Sequence, residues 1–358
     1  MKVIVVAGGT GGHIYPAIAI MNKIKEKEPE SEFLYIGTTD RMEKDIIPKL
    51  GIRFEGIPMS GLNRKNPFSN FSVVWKFLSA IRKSKKLMKE FQPDIVIGAG
   101  GYITAPVLYA AHQLGIPTLI HEQNSIPGLS NKFISSFSDS ICVSLPNSLE
   151  LFPKEKVHYT GNPRSEEIMN VEVCPRSEIG FSDKRKLLIV VMGSLGSTTM
   201  TEKIKEMIPH FNNKDYQVLV ITGKNYYDEY KEISVSDNVK IVPFMENLIN
   251  LMKDSDLMVS RAGASTIAEI TAIGLPAILV PSPYVTNNHQ YKNAKELEDH
   301  GACVIVTEEE FSSKRIIQEI ENLFDHPEIY KKMSEHSREL GIDDSATRIY
   351  EEVKKLVR

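Results

Sequence analysis

The residues Gly8-Gly9-Thr10-Gly11-Gly12-His13 follow directly on an apolar run at 3–7. A strand that turns through glycines into a helix lets backbone N–H groups approach an anion, and the helix dipole favours negative charge there. The segment therefore suits a phosphate-like group, with one imidazole at its rim. A neutral imidazole of ordinary pKa, about 6.5, accepts a proton near pH 7, so His13 is the candidate general base. The alternatives are a hydrogen bond to a substrate or plain packing.

Of two common phosphate motifs, one is weak here and the other is missing. Counting from Gly9, the third glycine of a dinucleotide fingerprint would fall on Ile14, and the second strand, at 33–36, ends in Gly37-Thr38-Thr39 without an acidic residue. No Gly-Lys-Ser/Thr closes the turn, which excludes a P-loop. Instead, polar glycine-rich turns recur at strand ends: Gly98-Ala99-Gly100-Gly101-Tyr102, His121-Glu122-Gln123-Asn124, Gly193 to Ser197, Arg261-Ala262-Gly263-Ala264-Ser265-Thr266 leading to Glu269, and Asn287-Asn288-His289-Gln290. Several such cradles suit two phosphorylated ligands, a donor and an acceptor.

The elements positioning these turns alternate. Strands are expected at 3–7, 33–36, 54–57, 95–98, 117–120 and 140–143, with helices from Pro16, over 41–50 and over 104–114. After Gly161-Asn162-Pro163 the grammar restarts, with strands at 186–192, 218–221, 239–242, 257–259, 277–280 and 303–306. Alternation of this kind implies a parallel sheet covered by helices on both faces. Two doubly wound, Rossmann-like α/β domains in tandem are expected, with ligands beyond the strand C-termini and the domains facing a cleft.

A chain of 358 residues exceeds the size of one ordinary core, and its composition is that of a soluble globular protein. The net charge of −3 argues against general attraction to nucleic acid. Cys142, Cys174 and Cys303 are widely spaced, which suits a reducing compartment and neither a disulfide frame nor a zinc site. No run approaches the roughly 18 apolar residues of a membrane span, and the first apolar run is too short for a signal peptide, so a cytoplasmic protein is expected.

With these motifs in order, the sequence resembles the MurG family of peptidoglycan N-acetylglucosaminyltransferases over nearly its whole length. The resemblance rests on Gly8 to His13, Gly100-Gly101-Tyr102 with Pro106, His121 to Asn124 with Pro127-Gly128-Leu129-Ser130-Asn131-Lys132, Gly161-Asn162-Pro163, Arg261 to Ala264 with Glu269, and His289-Gln290-Tyr291-Lys292-Asn293-Ala294. It implies a GT-B fold and inverting, metal-independent transfer of GlcNAc from UDP-GlcNAc to lipid I, giving lipid II and UDP without a cofactor. It also implies peripheral attachment to the cytoplasmic face of the cell membrane, with other cell-wall enzymes as possible partners. The implied domains are 1–162 for acceptor and membrane, 163–340 for UDP-GlcNAc, and a terminal helix in 341–358 crossing back to the first. Three departures are visible: Met192 stands for the first glycine of the third loop, Arg164 follows Pro163 directly, and His289 replaces the first of two glutamines.

Chemistry and resemblance together suggest roles. Glu269 would accept both ribose hydroxyls, Ser194 with Ala264, Ser265 and Thr266 would hold the donor diphosphate, and backbone near Phe244 and Met245 would meet uracil, unless Phe244 is plain core. Gln290, with His289, would bond sugar hydroxyls, since an amide both donates and accepts. Thr10, Gly11, Gly12, His13, Asn124 and Arg164 are further donor-side candidates. Gly11, Gly12, His13, Gly100, Gly101, Tyr102 and Asn124 are acceptor-side candidates. His13 and Glu122 are the catalytic pair, with Glu122 orienting the acceptor or the histidine. No carboxylate cluster marks a magnesium site, and helix N-termini can stabilise the leaving diphosphate instead.

Between Gly61 and Lys89, eight cations (Arg64, Lys65, Lys76, Arg82, Lys83, Lys85, Lys86 and Lys89) occur without Asp or Glu, interleaved with Phe68, Phe71, Val74, Trp75, Phe77, Leu78 and Ile81. That mixture suits an anionic inner-membrane surface, although part of it must pack on the sheet as an amphipathic helix. The rival activities are a UDP-sugar epimerase, a glycolipid glycosyltransferase, or a nucleotide-sensing module without turnover.

Overall fold

The structure is a computed structural model and describes residues 1–61, 71–193 and 196–357. Ser194, and Arg64, Lys65 and Phe68 of the basic stretch, lie outside these residues. The chain packs as two units, Met1–Arg164 together with Asp344–Arg358, and Ser165–Asp343.

The first unit runs β1 (Lys2–Val6), α1 (Gly11–Lys27), β2 (Glu32–Thr38), α2 (Glu43–Ile46), β3 (Arg53–Ile57), α3 (Phe71–Phe91), β4 (Ile95–Gly98), α4 (Thr104–Gln113), β5 (Thr118–Glu122), α5 (Leu129–Ile134), β6 (Ser140–Val143) and β7 (Val157–Tyr159). All pairs are parallel, in the order β3-β2-β1-β4-β5-β6-β7. Val6 pairs with Ile36 on one side and Gly98 on the other, so β1 and β4 end together while β2 runs on to Thr38. Val3 to Val6 are wholly buried because helices cover both faces, which explains the continuous apolar run.

The second unit comprises α6 (Arg164–Asn170) from Ser165 on, β8 (Leu187–Val191), α7 (Thr198–Met207), β9 (Gln217–Ile221), β10 (Val239–Val242), α8 (Leu248–Met252), β11 (Leu257–Ser260), α9 (Ala264–Ile273), β12 (Ala277–Leu279), α10 (His289–Asp299), β13 (Val304–Ile305), α11 (Ser313–Asp325) and α12 (Pro327–Glu339). Its parallel order, β10-β9-β8-β11-β12-β13, repeats the topology of the first. The last helix, α13 (Ser345–Leu356), returns to the first unit. Ile349 and Val353 join the core under α1, and Lys354 and Tyr350 both reach Glu28 at its C-terminus, at 2.6 and 3.1 Å.

Two elements differ from expectation. Helix α1 starts at Gly11, with Pro16 inside it. Proline already has a helical φ, and its missing N–H forfeits only a bond to the Gly12 carbonyl one turn back. The expected helix over 41–50 is a single turn, α2, followed by a 3₁₀ turn at Pro48–Leu50, because Pro48 cannot donate into a continuing helix.

Candidate active site

Open parallel sheets bind ligands where the strand order reverses, which here is between β1 and β4 in the first unit and between β8 and β11 in the second. At the first switch point two glycine turns interlock. Gly8 N–H donates to the Gly100 carbonyl at 3.2 Å, and Ala99 N–H to the Val6 carbonyl at 2.8 Å. Gly101 has φ +93°, and a Cβ on it would lie 2.4 Å from the Gly8 carbonyl oxygen. Only glycine allows that approach.

Thr10 is the extended N-cap of α1, with no side-chain cap and no acidic residue in the first turn. The N–H groups of Gly11 and Gly12 precede any helix carbonyl able to accept them, so the positive end of α1 can face an anion. His13 lies in that turn, with Nδ1 3.1 Å from the Gly8 carbonyl oxygen. A carbonyl only accepts, so Nδ1 carries a proton, and in the neutral ring the lone pair is then on Nε2. The ring occupies the space above Gly100, where a Cβ would stand 2.6 Å from it.

Sequence reasoning passes over Glu43, the first residue of α2. It is completely buried, and its Oε1 accepts from the Thr38 N–H at 2.9 Å and the Thr38 hydroxyl at 2.7 Å. Its Oε2 accepts from the Gly9 N–H at 3.3 Å. A single acid in a one-turn helix carries no sequence signal that sets it apart from a solvated residue.

At the end of β5, Glu122 is buried and both oxygens are occupied. Oε1 accepts from the Asn124 N–H at 3.1 Å and the Asn124 amide at 3.2 Å, while Oε2 accepts from the Gly128 N–H at 3.0 Å and the Asn131 amide at 2.9 Å. A carboxylate so engaged folds the loop that carries Asn124. Beneath it, burial lowers the pKa of His121 to about 4. The neutral ring sits 3.2 Å from the Gly161 carbonyl through Nε2 and 3.0 Å from the Gln123 amide through Nδ1. Gln123 also donates to the Ala99 carbonyl at 2.9 Å, tying this loop to the end of β4. Tyr102 is exposed, its ring lying over Gly61. Arg164 stands 5.7 Å from the Tyr15 ring, which itself covers Gly11, so the structure groups Arg164 with the start of α1.

In the second unit, Gly263 is the extended N-cap of α9, again without a side-chain cap or an acid in the first turn. Ala264, Ser265 and Thr266 form that turn. The Ser265 hydroxyl oxygen is buried and has no partner among the described residues. Glu269 lies four residues on, on the same helix face. Arg261 is buried beneath this turn: it donates to the Val280 carbonyl at 3.0 Å and the Ser197 hydroxyl at 2.8 Å, and pairs with Glu308 at 2.5 Å. Arg261 thereby joins the two turns at the second switch point. Met192 is buried in the core of the unit, while Gly193 keeps a φ of +102°.

Asn287 and Asn288 both adopt left-handed backbone, φ +57° and +52°, and aim the start of α10. There Gln290 Oε1 accepts from the Ser282 N–H at 2.9 Å, which leaves its amide NH₂ as the outward donor. His289 Nδ1 bonds the Thr286 carbonyl at 2.9 Å, and Asn293 reaches the Ala262 carbonyl at 3.4 Å, linking α10 to the α9 turn. Phe244 is exposed, with the Lys224 ammonium 4.6 Å over its ring, and Met245 is partly covered beside it. Of the two readings of Phe244, core packing does not hold.

Helix α3 presents an unusual outer face. Phe71 is 85% exposed and Trp75 71%, with Val74 and Leu78 completing a stripe at helical spacing. Farther along, Arg82, Lys86 and Lys89 are exposed, whereas Lys83 is half-buried and donates to the Gly56 carbonyl at 2.7 Å. No helix among the described residues is long and apolar enough to cross a membrane, and none of their His, Cys, Asp and Glu side chains form a group of three or more able to hold a metal ion.

Residues 3–143 match the glycosyltransferase family 28 N-terminal domain and residues 187–349 the glycosyltransferase family 28 C-terminal domain. The chain is 44% identical, over 100% of both lengths, to the UDP-N-acetylglucosamine--N-acetylmuramyl-(pentapeptide) pyrophosphoryl-undecaprenol N-acetylglucosamine transferase of Bacillus cytotoxicus. Its identity to the enzyme of the same name from Bacillus subtilis is 41%, over 99% of this chain and 100% of the relative. The crystal structure of Acinetobacter baumannii MurG superposes with a TM-score of 0.80 at 26% identity, covering 99% of each chain.

Proposed function

The chain belongs to glycosyltransferase family 28, among the UDP-N-acetylglucosamine--N-acetylmuramyl-(pentapeptide) pyrophosphoryl-undecaprenol N-acetylglucosamine transferases, and from that premise we propose that it transfers GlcNAc from UDP-GlcNAc to undecaprenyl-pyrophosphoryl-MurNAc-pentapeptide, lipid I, releasing UDP and lipid II. The observation that carries this reading is that the kinship runs the full length of both units, so it spans the donor and the acceptor side alike.

The second unit holds the donor. The uncapped start of α9 and the unpartnered Ser265 hydroxyl receive the diphosphate, with Ala264, Thr266 and the turn leading to Ser197 beside them. Glu269, on the same helix face, accepts the ribose hydroxyls, and the exposed Phe244 with Met245 borders the uracil. The Gln290 NH₂, its orientation set by Ser282, donates to a sugar hydroxyl, with His289 alongside.

The first unit holds the acceptor and supplies the base. Gly11, Gly12, Gly100, Gly101 and Tyr102 line its binding turn, and Asn124 is presented by the loop that Glu122 folds. The His13 Nε2 lone pair takes the proton of the acceptor hydroxyl as that oxygen attacks the anomeric carbon with inversion. Negative charge growing on the leaving UDP is met by helix N-termini, so transfer continues in EDTA. The exposed apolar stripe of α3 would enter an anionic membrane and its basic half meet the headgroups, which supports attachment at the cytoplasmic face, beside the lipid-linked acceptor and other cell-wall enzymes.

The test is transfer of radiolabel from UDP-GlcNAc to lipid I or a short-chain analogue. Acceptor-dependent UDP release with label in the lipid product supports the reading. Turnover of UDP-GlcNAc without an acceptor would point to an epimerase, and binding without turnover to a sensing module.

A further inference from the structure

We propose that Glu43 is a positioning residue for the transfer reaction, acting on His13 through the single peptide unit that joins Gly8 to Gly9. The N–H end of that unit donates to Glu43 Oε2 at 3.3 Å, and its C=O end accepts from His13 Nδ1 at 3.1 Å. A peptide unit is planar, so fixing one end fixes the other. Hydrogen bonds in a chain polarise one another, and a carboxylate on the N–H strengthens the carbonyl as an acceptor for Nδ1–H. The link holds the imidazole in the tautomer whose lone pair is on Nε2, and it holds the ring direction. The proposal rests on the reading of His13 as the base.

The surroundings are shaped to admit this acid. A Cβ on Gly8 would stand 2.8 Å from Glu43 Oε1, and one on Gly37 would stand 2.6 Å from Glu43 Cγ. Both strand ends are therefore glycine where the carboxyl enters. Burying a carboxyl among apolar groups is costly unless its oxygens are hydrogen-bonded, and an apolar side chain would fill the same volume without that cost. What only an acceptor supplies is a partner for the Gly9 N–H. Thr38 anchors the other oxygen through its N–H and its hydroxyl, so the carboxylate itself cannot swing.

The experiment uses the full chain with Glu43→Gln, whose amide cannot accept from both Thr38 and Gly9. Expected are a kcat lower by roughly tenfold to a hundredfold, the scale seen when the hydrogen-bond partner that orients a metal-ligating histidine is removed, and a UDP-GlcNAc Kd within about twofold of wild type. Nitrogen-15 NMR of the His13 ring, assigned with His13→Ala, should show Nδ1 protonated in wild type and a loss of that tautomer in Glu43→Gln. Should Glu43→Gln not fold, Thr38→Val, which loosens the carboxylate, is expected to change kcat and tautomer in the same direction by less. A folded variant with unchanged kcat and unchanged tautomer overturns the proposal. Substantial turnover in His13→Ala would instead overturn the reading of His13 as base, so the two failures are distinguishable.

Discussion

The two switch points share a strand order and differ in what fills them. In the first unit Gly101 lies against the Gly8 backbone and Gly100 against the His13 ring, while Gly9, open at its Cβ position, gives its N–H to Glu43. In the second, Gly196 is packed as tightly, a Cβ on it falling 2.4 Å from the Thr222 carbonyl oxygen, whereas one on Gly193 would meet nothing within 4 Å among the described residues, and the brace is a guanidinium, Arg261, balanced by Glu308. A glycine turn after a strand thus announces close approach without saying what approaches. The proposed difference is that the first switch point braces the His13 ring through Gly8 and Glu43, while the second holds Arg261 beneath the uncapped start of α9.

The largest effect expected from this contrast is on turnover. His13→Ala should lower kcat by roughly 10²–10⁴ in the lipid I assay, the range for loss of a general base. Near-normal turnover would make His13 a packing group and erase the functional difference between the units.

Acid should act on the first unit through His121. Burial holds its pKa near 4, below the roughly 6.5 of an unfolded chain. As pH falls through 6.5 the unfolded state takes up a proton that the folded state refuses until about pH 4, so stability is lost across that window, by about 3 kcal/mol in all. Urea unfolding monitored from pH 7 to pH 4 should show this slope, and His121→Gln should flatten it.

Glycine packing sharpens the contrast further. Gly101→Ala and Gly193→Ala both force alanine to a φ near +100°, a strain of order 1–3 kcal/mol. Gly101→Ala must also displace backbone, adding about 1–3 kcal/mol. Equal unfolding free energies for the two variants would show that the first turn is not the tighter one.

Much of this contrast was legible in the sequence. Strands β1, β8 and β11 announce themselves because helices cover both faces and the apolar runs are unbroken. The glycine turns, and the motif around Ser265 and Glu269, stand out because a glycine turn at a strand end marks where backbone comes close to something. The start of α1 was hidden because Pro16 reads as a first helical residue. Glu43 was hidden because burial and hydrogen bonding of a lone acid depend on tertiary neighbours, Thr38 and Gly9. Glu122 was visible as a polar residue at a strand end, but its four donors come from the loop beyond it, which a linear reading cannot fold.

The smallest effects belong to α3, away from both switch points. Charge reversal at Arg82, Lys86 and Lys89 should abolish sedimentation with anionic vesicles, each cation contributing about 1 kcal/mol at low salt, while transfer to a water-soluble acceptor persists. Lys83 is unsuitable for this test because its bond to Gly56 braces β3. Unchanged vesicle binding would reduce the face to an ordinary solvated helix surface.

The division of labour itself is tested most directly by titrating UDP-GlcNAc into wild type, Glu269→Ala and His13→Ala under one set of conditions. Losing hydrogen bonds to a charged group costs about 1.5–3 kcal/mol each, so Glu269→Ala should weaken donor binding at least tenfold. His13→Ala should leave the Kd within about twofold. Donor affinity that falls with His13 and not with Glu269 would contradict the assignment of donor to the second unit and base to the first.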